Sequence, residues 1–107
     1  MFTSTNPATG QEIATYPELN TEQIDSKLDT AVATYRRWRI SPIRERTELL
    51  KKIAEQFEAN KERLARTATE EMGKTLIPAI AEVDKCSALM RHYAKAGPAM
   101  LDPARIG

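Results

Sequence analysis

Glu70-Glu71-Met72-Gly73-Lys74-Thr75 separates the last two of four predicted helices and so decides how the helical part of the chain folds. Glycine is common just past a helix end because it adopts a positive φ at no steric cost, so Gly73 predicts the end of a helix over residues 61–72. A fourth helix is predicted over residues 75–96, with Pro78 tolerated in its first turn. Its apolar stripe consists of Leu76, Ile80, Val83, Ser87, Met90 and Ala94.

Two further helices are predicted upstream, over residues 21–39 and 42–59. Asn20 and Gln23 have the spacing of a capping box for the first of them. Ser41-Pro42 ends that helix and starts the next, because proline suits a position whose N–H would be unpaired anyway. Apolar residues recur at three- and four-residue steps in both, as expected for amphipathic helices. The two stripes are Ile24, Leu28, Val32, Tyr35 and Trp38, and then Ile43, Leu50, Ile53, Ala54 and Phe57.

The ends of the chain are predicted to be non-helical. Residues 1–17 read as a β-hairpin around the turn Asn6-Pro7-Ala8-Thr9-Gly10, and an isolated hairpin needs other elements to lie on. Gly97-Pro98 is expected to stop the fourth helix and leave an extended connection over residues 97–107. The fold class is therefore mostly α, with an amino-terminal hairpin followed by four helices.

Composition excludes several classes of protein. The 107 residues are enough for one small domain, and 16 basic against 15 acidic residues give a formal charge of +1 without the basic patch that nucleic-acid binding requires. A lone cysteine, Cys86, excludes an internal disulfide and fits a reducing compartment. No signal peptide or membrane-spanning run is present in this sequence, so we expect a cytoplasmic protein with neither nucleic acid nor membrane as a partner.

Three motifs carry a resemblance to a known family. They are Asn6-Pro7-Ala8-Thr9-Gly10, Glu70-Glu71-Met72-Gly73-Lys74-Thr75 and Tyr93-Ala94-Lys95-Ala96-Gly97-Pro98-Ala99-Met100-Leu101, in that order. Together they resemble the amino-terminal segment of an NAD(P)-dependent aldehyde dehydrogenase over residues 3–101. The run from Glu82 to Leu101 is most similar to the succinate-semialdehyde dehydrogenase branch.

The resemblance implies that residues 1–107 are a fragment of the α/β aldehyde dehydrogenase fold. In that family the catalytic cysteine, the general-base glutamate, the oxyanion asparagine and the nucleotide-binding strands all lie further along the polypeptide. We therefore expect no catalytic, cofactor-binding or metal-binding residue in this chain, and no activity from it alone. The parent would use NAD or NADP on a small aldehyde, with the rest of the polypeptide as partner and a homo-oligomer as the assembly.

By the same resemblance, one face of the fourth helix would lie near the mouth of the substrate tunnel. Ala81, Lys85 and Leu89 are the candidate substrate-entrance residues, and their four-residue spacing puts them on one stripe. The cation of Lys85 would attract the free carboxylate of succinate semialdehyde. The alternative is a solvated lysine, or a surface ion pair with Glu82.

Cys86 and His92 are the only thiol and imidazole. Six residues of helix turn their side chains about 240° apart, which argues against a nucleophile–base pair. One cysteine and one histidine also cannot complete a tetrahedral metal site. We expect Cys86 to be a small buried thiol. His92 stands where the family that the chain resembles often has an aromatic residue, which implies that its ring packs.

Gly73-Lys74-Thr75 matches the last three residues of the phosphate-binding loop motif. That loop needs a glycine where this chain has Ala68, and a strand where this chain has a helix, so a helix-capping turn is the preferred interpretation. The adjacent Glu70 and Glu71 diverge by about 100° and cannot share a proton. We expect both to be solvated charges at a helix end, with Lys74 available to Glu71.

Trp38 stands among Arg36, Arg37 and Arg39. A single-strand nucleic-acid platform needs several aromatic side chains along a charged groove, so we expect Trp38 to anchor a core instead. A second hypothesis for the whole chain is a free-standing helical scaffold or interaction module without catalysis, because four apolar stripes in so small a domain leave surface for a partner.

Overall fold

The computed structural model describes residues 1–104 and confirms the order of one hairpin followed by four helices. Two strands come first, and the four helices follow with short connections. The elements are β1 Phe2–Thr5, β2 Glu12–Tyr16, α1 Thr21–Trp38, α2 Ile43–Ala59, α3 Lys61–Met72 and α4 Leu76–Leu101.

The hairpin forms as its turn residues predict. β1 and β2 are antiparallel, and the register shifts at a bulge between Ser4 and Thr5. The side-chain carbonyl of Asn6 accepts a hydrogen bond from the backbone N–H of Ala8 at 2.9 Å. Gly10 closes the turn with a φ of 74°. Local side-chain chemistry therefore sets this turn.

The hairpin is attached to the end of α3. Gly73 ends α3 in the left-handed conformation at φ 71°, and a Cβ there would lie 3.1 Å from Cγ of Pro7 in the hairpin turn. The Ser4 hydroxyl donates to Oε1 of Glu71 at 3.0 Å. Two motifs that lie about 65 residues apart in the sequence therefore meet in space, and the hairpin has the support it was expected to need.

α2, α3 and α4 form the only packed core among residues 1–104, and small side chains dominate it. Ala54 and Ala65 are fully buried, Ala79 is 1% exposed and Val83 is 8% exposed. Alanine at these positions lets helix backbones approach closely, as ridges-into-grooves packing requires. The partly buried side chains around α3 and α4 are Phe57, Leu64, Ala68 and Ile80.

The prediction that Gly97-Pro98 stops the fourth helix is wrong, because α4 continues through Pro98 to Leu101. Pro98 lacks the N–H that would reach the carbonyl of Ala94, yet so near the helix end this costs one intrahelical bond. The added turn also places Met100 and Leu101 along an apolar groove shared with α2. Both side chains remain mostly exposed, at 61% and 71%, so the helix continues because a proline this near its end costs little and not because its last turn is packed. Residues 105–107 of the expected extended connection lie outside the described residues.

α1 is amphipathic but buries nothing. Its capping box forms as predicted, with the N–H of Gln23 donating to Oδ1 of Asn20 at 2.8 Å. Its apolar stripe faces solvent, however, and Tyr35 is 63% exposed. The prediction that Trp38 anchors a core is wrong for residues 1–104, since its side chain is 41% exposed. The physical reason is that α2, α3 and α4 pack on one another and leave the stripe of α1 uncovered.

Arg46 joins α1 to α2. Its Nη2 donates to the carbonyl oxygens of Trp38 and Arg39, each at 2.8 Å, and its Nε donates to the Ser41 hydroxyl at 3.1 Å. The guanidinium also lies 5.8 Å from the centroid of the Trp38 ring. The planar guanidinium of arginine presents several N–H donors at fixed angles, which suits such a set of acceptors. The carbonyl groups at a helix C-terminus also attract a cation.

We expect Arg46→Ala to weaken the connection between α1 and α2. Hydrogen bonds to a charged donor contribute about 1.5–3 kcal/mol, and partial exposure reduces this, so amides in the last turn of α1 should exchange about 5- to 30-fold faster. Arg46→Lys should recover only part of the protection because a lysine lacks the fork. The exposed neighbour Arg44 provides the control as Arg44→Ala. Equal exchange in all three variants would contradict this role.

The chain is far less compact than an independent domain of its length. Its radius of gyration is 18.8 Å, whereas about 13 Å is typical of a domain of this size. It exposes 8845 Å², against about 6,000 Å² expected for a compact monomer of this mass. Nearly half as much surface again is therefore open to solvent, and much of it is apolar.

Candidate functional site

The structure brings the three predicted substrate-entrance residues together on one face of α4. Ala81, Lys85 and Leu89 follow one another a turn apart, and all three are exposed, Leu89 to 52%. This face is turned away from the core, because Val83 and Ser87 are buried on the other side of the same helix. Ala81, Lys85 and Leu89 are called the α4 outer face below.

The side chain of Lys85 makes no hydrogen bond or ion pair with any other residue in the described range 1–104. The alternative pairing with Glu82 is not formed, since Glu82 is paired with Lys74. Asp84, the other nearby carboxylate of α4, accepts from Nζ of Lys61 at 2.8 Å. The acidic neighbours of Lys85 are thus engaged elsewhere, and its charge stays available at the outer face.

Cys86 departs from its prediction. It was expected to be a buried thiol, but it is exposed and free. Cys86 points within about 60° of the buried Val83 and about 20° of the buried Ala79, so its exposure does not follow from its angle on α4 alone. His92 is exposed, and its ring centroid lies 5.2 Å from that of its sequence neighbour Tyr93 in an edge-to-face arrangement. No hydrogen bond within residues 1–104 joins Cys86 to His92, which agrees with their angular separation.

The stretch from Glu70 to Thr75 is a capping turn, not a phosphate-binding loop. Helix α3 precedes Gly73, whose N–H donates to the carbonyl of Thr69 at 3.0 Å. Glu71 and Lys74 do not pair with each other: Glu71 accepts from Ser4, and Lys74 pairs with Glu82 across the turn. The three-residue spacing made Lys74 available to Glu71 but could not show that α4 brings Glu82 back to the turn.

Two ion pairs that sequence reasoning missed fix α4 against its neighbours. Arg91 donates from Nε and Nη2 to the two oxygens of Glu58, each at 2.8 Å, which joins α4 to α2. This bond and the positive charge lower the pKa of Glu58. The second pair joins α3 to α4: the carboxylate of Asp84 accepts from Nζ of Lys61. This bond and the negative charge raise the pKa of Lys61. The contribution of Glu58 to stability is therefore present above its unfolded-state pKa and is lost as the pH falls through the lower folded value.

Two kinds of feature are not found within residues 1–104. No group of three or more His, Cys, Asp or Glu side chains is arranged to hold a metal ion. None of the helices described is long and apolar enough to cross a membrane.

Comparison with known proteins assigns the family. The model of the aldehyde dehydrogenase family matches residues 1–106. A succinate semialdehyde dehydrogenase [NAD(P)+] of Escherichia coli is 41% identical over 98 residues, covering 92% of this chain and 21% of that protein. A succinate-semialdehyde dehydrogenase [NADP(+)] of Deinococcus radiodurans is 33% identical over 105 residues, covering 98% and 22%. The chain belongs to the aldehyde dehydrogenase family.

A solved structure shows the same fold. The crystal structure of succinic semialdehyde dehydrogenase from Streptococcus pyogenes in complex with NADP+ aligns with a TM-score of 0.93 at 23% identity. The alignment covers 100% of this chain and 24% of that one. The chain thus spans only about a fifth to a quarter of the length of these proteins.

Proposed function

We propose that this chain is the amino-terminal part of an NAD(P)-dependent succinate-semialdehyde dehydrogenase. The observation that carries the proposal is the match to relatives of that activity over more than nine-tenths of the chain. The fold that the proposal requires is supported by the solved succinic semialdehyde dehydrogenase of the same fold. The substrate is a small aldehyde, oxidised to the carboxylic acid, and NAD or NADP accepts the hydride.

The chemistry belongs to residues beyond this chain. In the family, a cysteine thiolate adds to the aldehyde carbon, hydride leaves for the nicotinamide, and water hydrolyses the resulting thioester to the acid. Cys86 is not that nucleophile, because the family's catalytic cysteine comes later in the polypeptide and Cys86, although free and exposed, has no hydrogen bond to a base within the described residues. Residues 1–107 alone are expected to be inactive. We place the complete enzyme in the cytoplasm as a homo-oligomer, an expectation from the family.

Within this assignment, the α4 outer face would lie near the mouth of the substrate tunnel, as the resemblance to the family implies. Lys85 would attract the carboxylate of succinate semialdehyde at the entrance, and Ala81 and Leu89 would form the wall beside it. The cation has no partner in residues 1–104, so no local carboxylate neutralises it. An exposed charge attracts an anion over about 8 Å at physiological ionic strength, which suits capture at an entrance more than tight binding.

Lys85→Met in the full-length enzyme should raise the KM for succinate semialdehyde about fivefold, since an exposed charge pair contributes about 1 kcal/mol. The KM for butanal, which lacks the carboxylate, should stay unchanged. The effect should shrink as salt is added. Lys95→Met is the matched control, because it removes the same exposed charge from the same helix about 15 Å further along its axis. Equal changes for both aldehydes, or equal effects of the two variants, would contradict the role of Lys85.

The alternative of a free-standing helical scaffold is favoured by one observation, the open apolar surface. The intact mass of the protein purified from its source separates the two possibilities. A mass four to five times the 12.0 kDa of this chain, in line with the relatives, agrees with the dehydrogenase. A mass of 12.0 kDa would favour the scaffold.

A further inference from the structure

The two carboxylates nearest to Lys85 along α4 are each held by another cation. Glu82 pairs with Lys74 in the turn before α4, and Asp84 accepts from Nζ of Lys61 in α3 at 2.8 Å. Asp84 is the sequence neighbour of Lys85, and adjacent side chains of a helix diverge by about 100° and do not face each other. Asp84 is therefore poorly placed to pair with Lys85, whether or not Lys61 holds it.

Glu82, in contrast, is well placed to pair with Lys85. It lies three residues earlier on α4, so the two side chains are about 60° apart, and residues at this spacing are neighbours on a helix surface. The order of the two, with the carboxylate nearer the helix N-terminus, also favours a pair. Lys74 nevertheless takes the carboxylate. Its side chain is only 29% exposed, and partial shielding from water strengthens its attraction for Glu82.

We propose that Lys74 is a specificity-determining residue, which holds the carboxylate of Glu82 away from Lys85 and so preserves the cation that selects an anionic aldehyde. The inference rests on the proposed function in placing Lys85 at the substrate entrance. Lys74 acts by positioning, since its own ammonium is committed to Glu82. Two cations and one carboxylate leave one net positive charge beside the α4 outer face. Without Lys74, Glu82 turns to Lys85 and no net charge remains.

Lys74→Met in the full-length enzyme should raise the KM for succinate semialdehyde about two- to fivefold. The upper limit is the effect of Lys85→Met, which also leaves no net charge, and incomplete pairing of two exposed side chains gives the lower values. The KM for butanal and the kcat for both aldehydes should stay unchanged. Lys74→Arg keeps the charge and should keep the KM of the unmodified enzyme.

A second substitution separates this role from a structural one. Adding Glu82→Gln to Lys74→Met removes the released carboxylate, so the KM for succinate semialdehyde should return to that of the unmodified enzyme. A structural role of the ion pair predicts no return, because the double variant lacks the pair just as Lys74→Met does. Lys61→Met is the matched control, since it releases Asp84, which does not face Lys85.

Three results would overturn the proposal. They are an unchanged KM for succinate semialdehyde in Lys74→Met, a KM that stays raised in the double variant, and an equal rise in Lys61→Met.

A readout without substrate distinguishes failure of this proposal from failure of the proposed function. Lysine amines of the full-length protein are acetylated with N-hydroxysuccinimidyl acetate and quantified by mass spectrometry, with the exposed Lys95 as internal reference. Lys85 should react about twofold more slowly in Lys74→Met than in the unmodified protein, the effect of one exposed ion pair three residues apart. Adding Glu82→Gln should restore its rate.

Equal acetylation of Lys85 in all three proteins would overturn the proposal. The expected acetylation pattern in a protein that does not oxidise succinate semialdehyde would overturn the proposed function, and with it the selection of substrate by Lys85, while the hold of Lys74 on Glu82 would stand.

Discussion

Ala65→Leu is expected to make the amides of α3 and α4 exchange about 5- to 150-fold faster, the equivalent of a loss of about 1–3 kcal/mol. Ala65 is fully buried and packs in one cluster with Ala79 and Val83 of α4. Leucine adds three carbon atoms where the two helices have no room, so the helices must separate or the side chain must leave its preferred rotamer.

The control for this prediction is Ala59→Leu, made at an exposed position near the end of α2. It adds the same atoms outside the core and should leave exchange in α3 and α4 within about twofold, since surface changes usually fall within about 0.5 kcal/mol. Hydrogen exchange by mass spectrometry on the intact protein resolves the two helices. Similar exchange in the two variants would show that α3 and α4 are not packed as described.

Gly73→Ala is the second substitution with a large expected effect. Two costs add at this position: the φ of 71° is strained for any residue with a Cβ, and the new Cβ would lie 3.1 Å from Cγ of Pro7. Left-handed backbone costs about 1–2 kcal/mol in a residue other than glycine, and the crowding of Pro7 adds to it. Exchange should rise about 10- to 100-fold in the last turn of α3 and in the hairpin together.

Gly10→Ala separates the two costs. Its φ is 74° but nothing lies within 4 Å of its added Cβ, so it reports the backbone strain alone. It should loosen the hairpin turn and leave the end of α3 unchanged. If Gly73→Ala affects α3 without affecting the hairpin, then the contact between Pro7 and Gly73 does not hold the hairpin in place.

Much of the fold is set by local sequence signals such as helix caps and turn residues. The capping box of Asn20 and Gln23, the left-handed Gly73 and the Asn6 turn all act within a few residues, and each forms as predicted. The helical stripes also follow from spacing alone. Such signals need no knowledge of what lies across the fold, which explains why they could be read from the sequence.

The errors have two physical causes. The end of α4 was misjudged because a proline so near a helix end costs one intrahelical bond, which makes Gly97-Pro98 a weak stop signal. Trp38 and Cys86 were expected to be buried because their residue types usually are, but burial requires a neighbouring element at the right angle.

The candidate site was predictable in part. The four-residue spacing of Ala81, Lys85 and Leu89 puts them on one face without further information. That Lys85 lacks a partner was not predictable, because it depends on Lys74 reaching Glu82 across the turn at Gly73. The contact between the hairpin turn and Gly73 was equally hidden, since nothing local marks Pro7 and Gly73 as neighbours.

The central claim is that this chain is part of a dehydrogenase that oxidises succinate semialdehyde. The most direct test is to purify the full-length protein and follow the absorbance of NADPH or NADH when succinate semialdehyde is added with either oxidised cofactor. The account predicts reduction of at least one cofactor by the full-length protein and none by residues 1–107 alone. A folded full-length protein that reduces neither cofactor with succinate semialdehyde would contradict it.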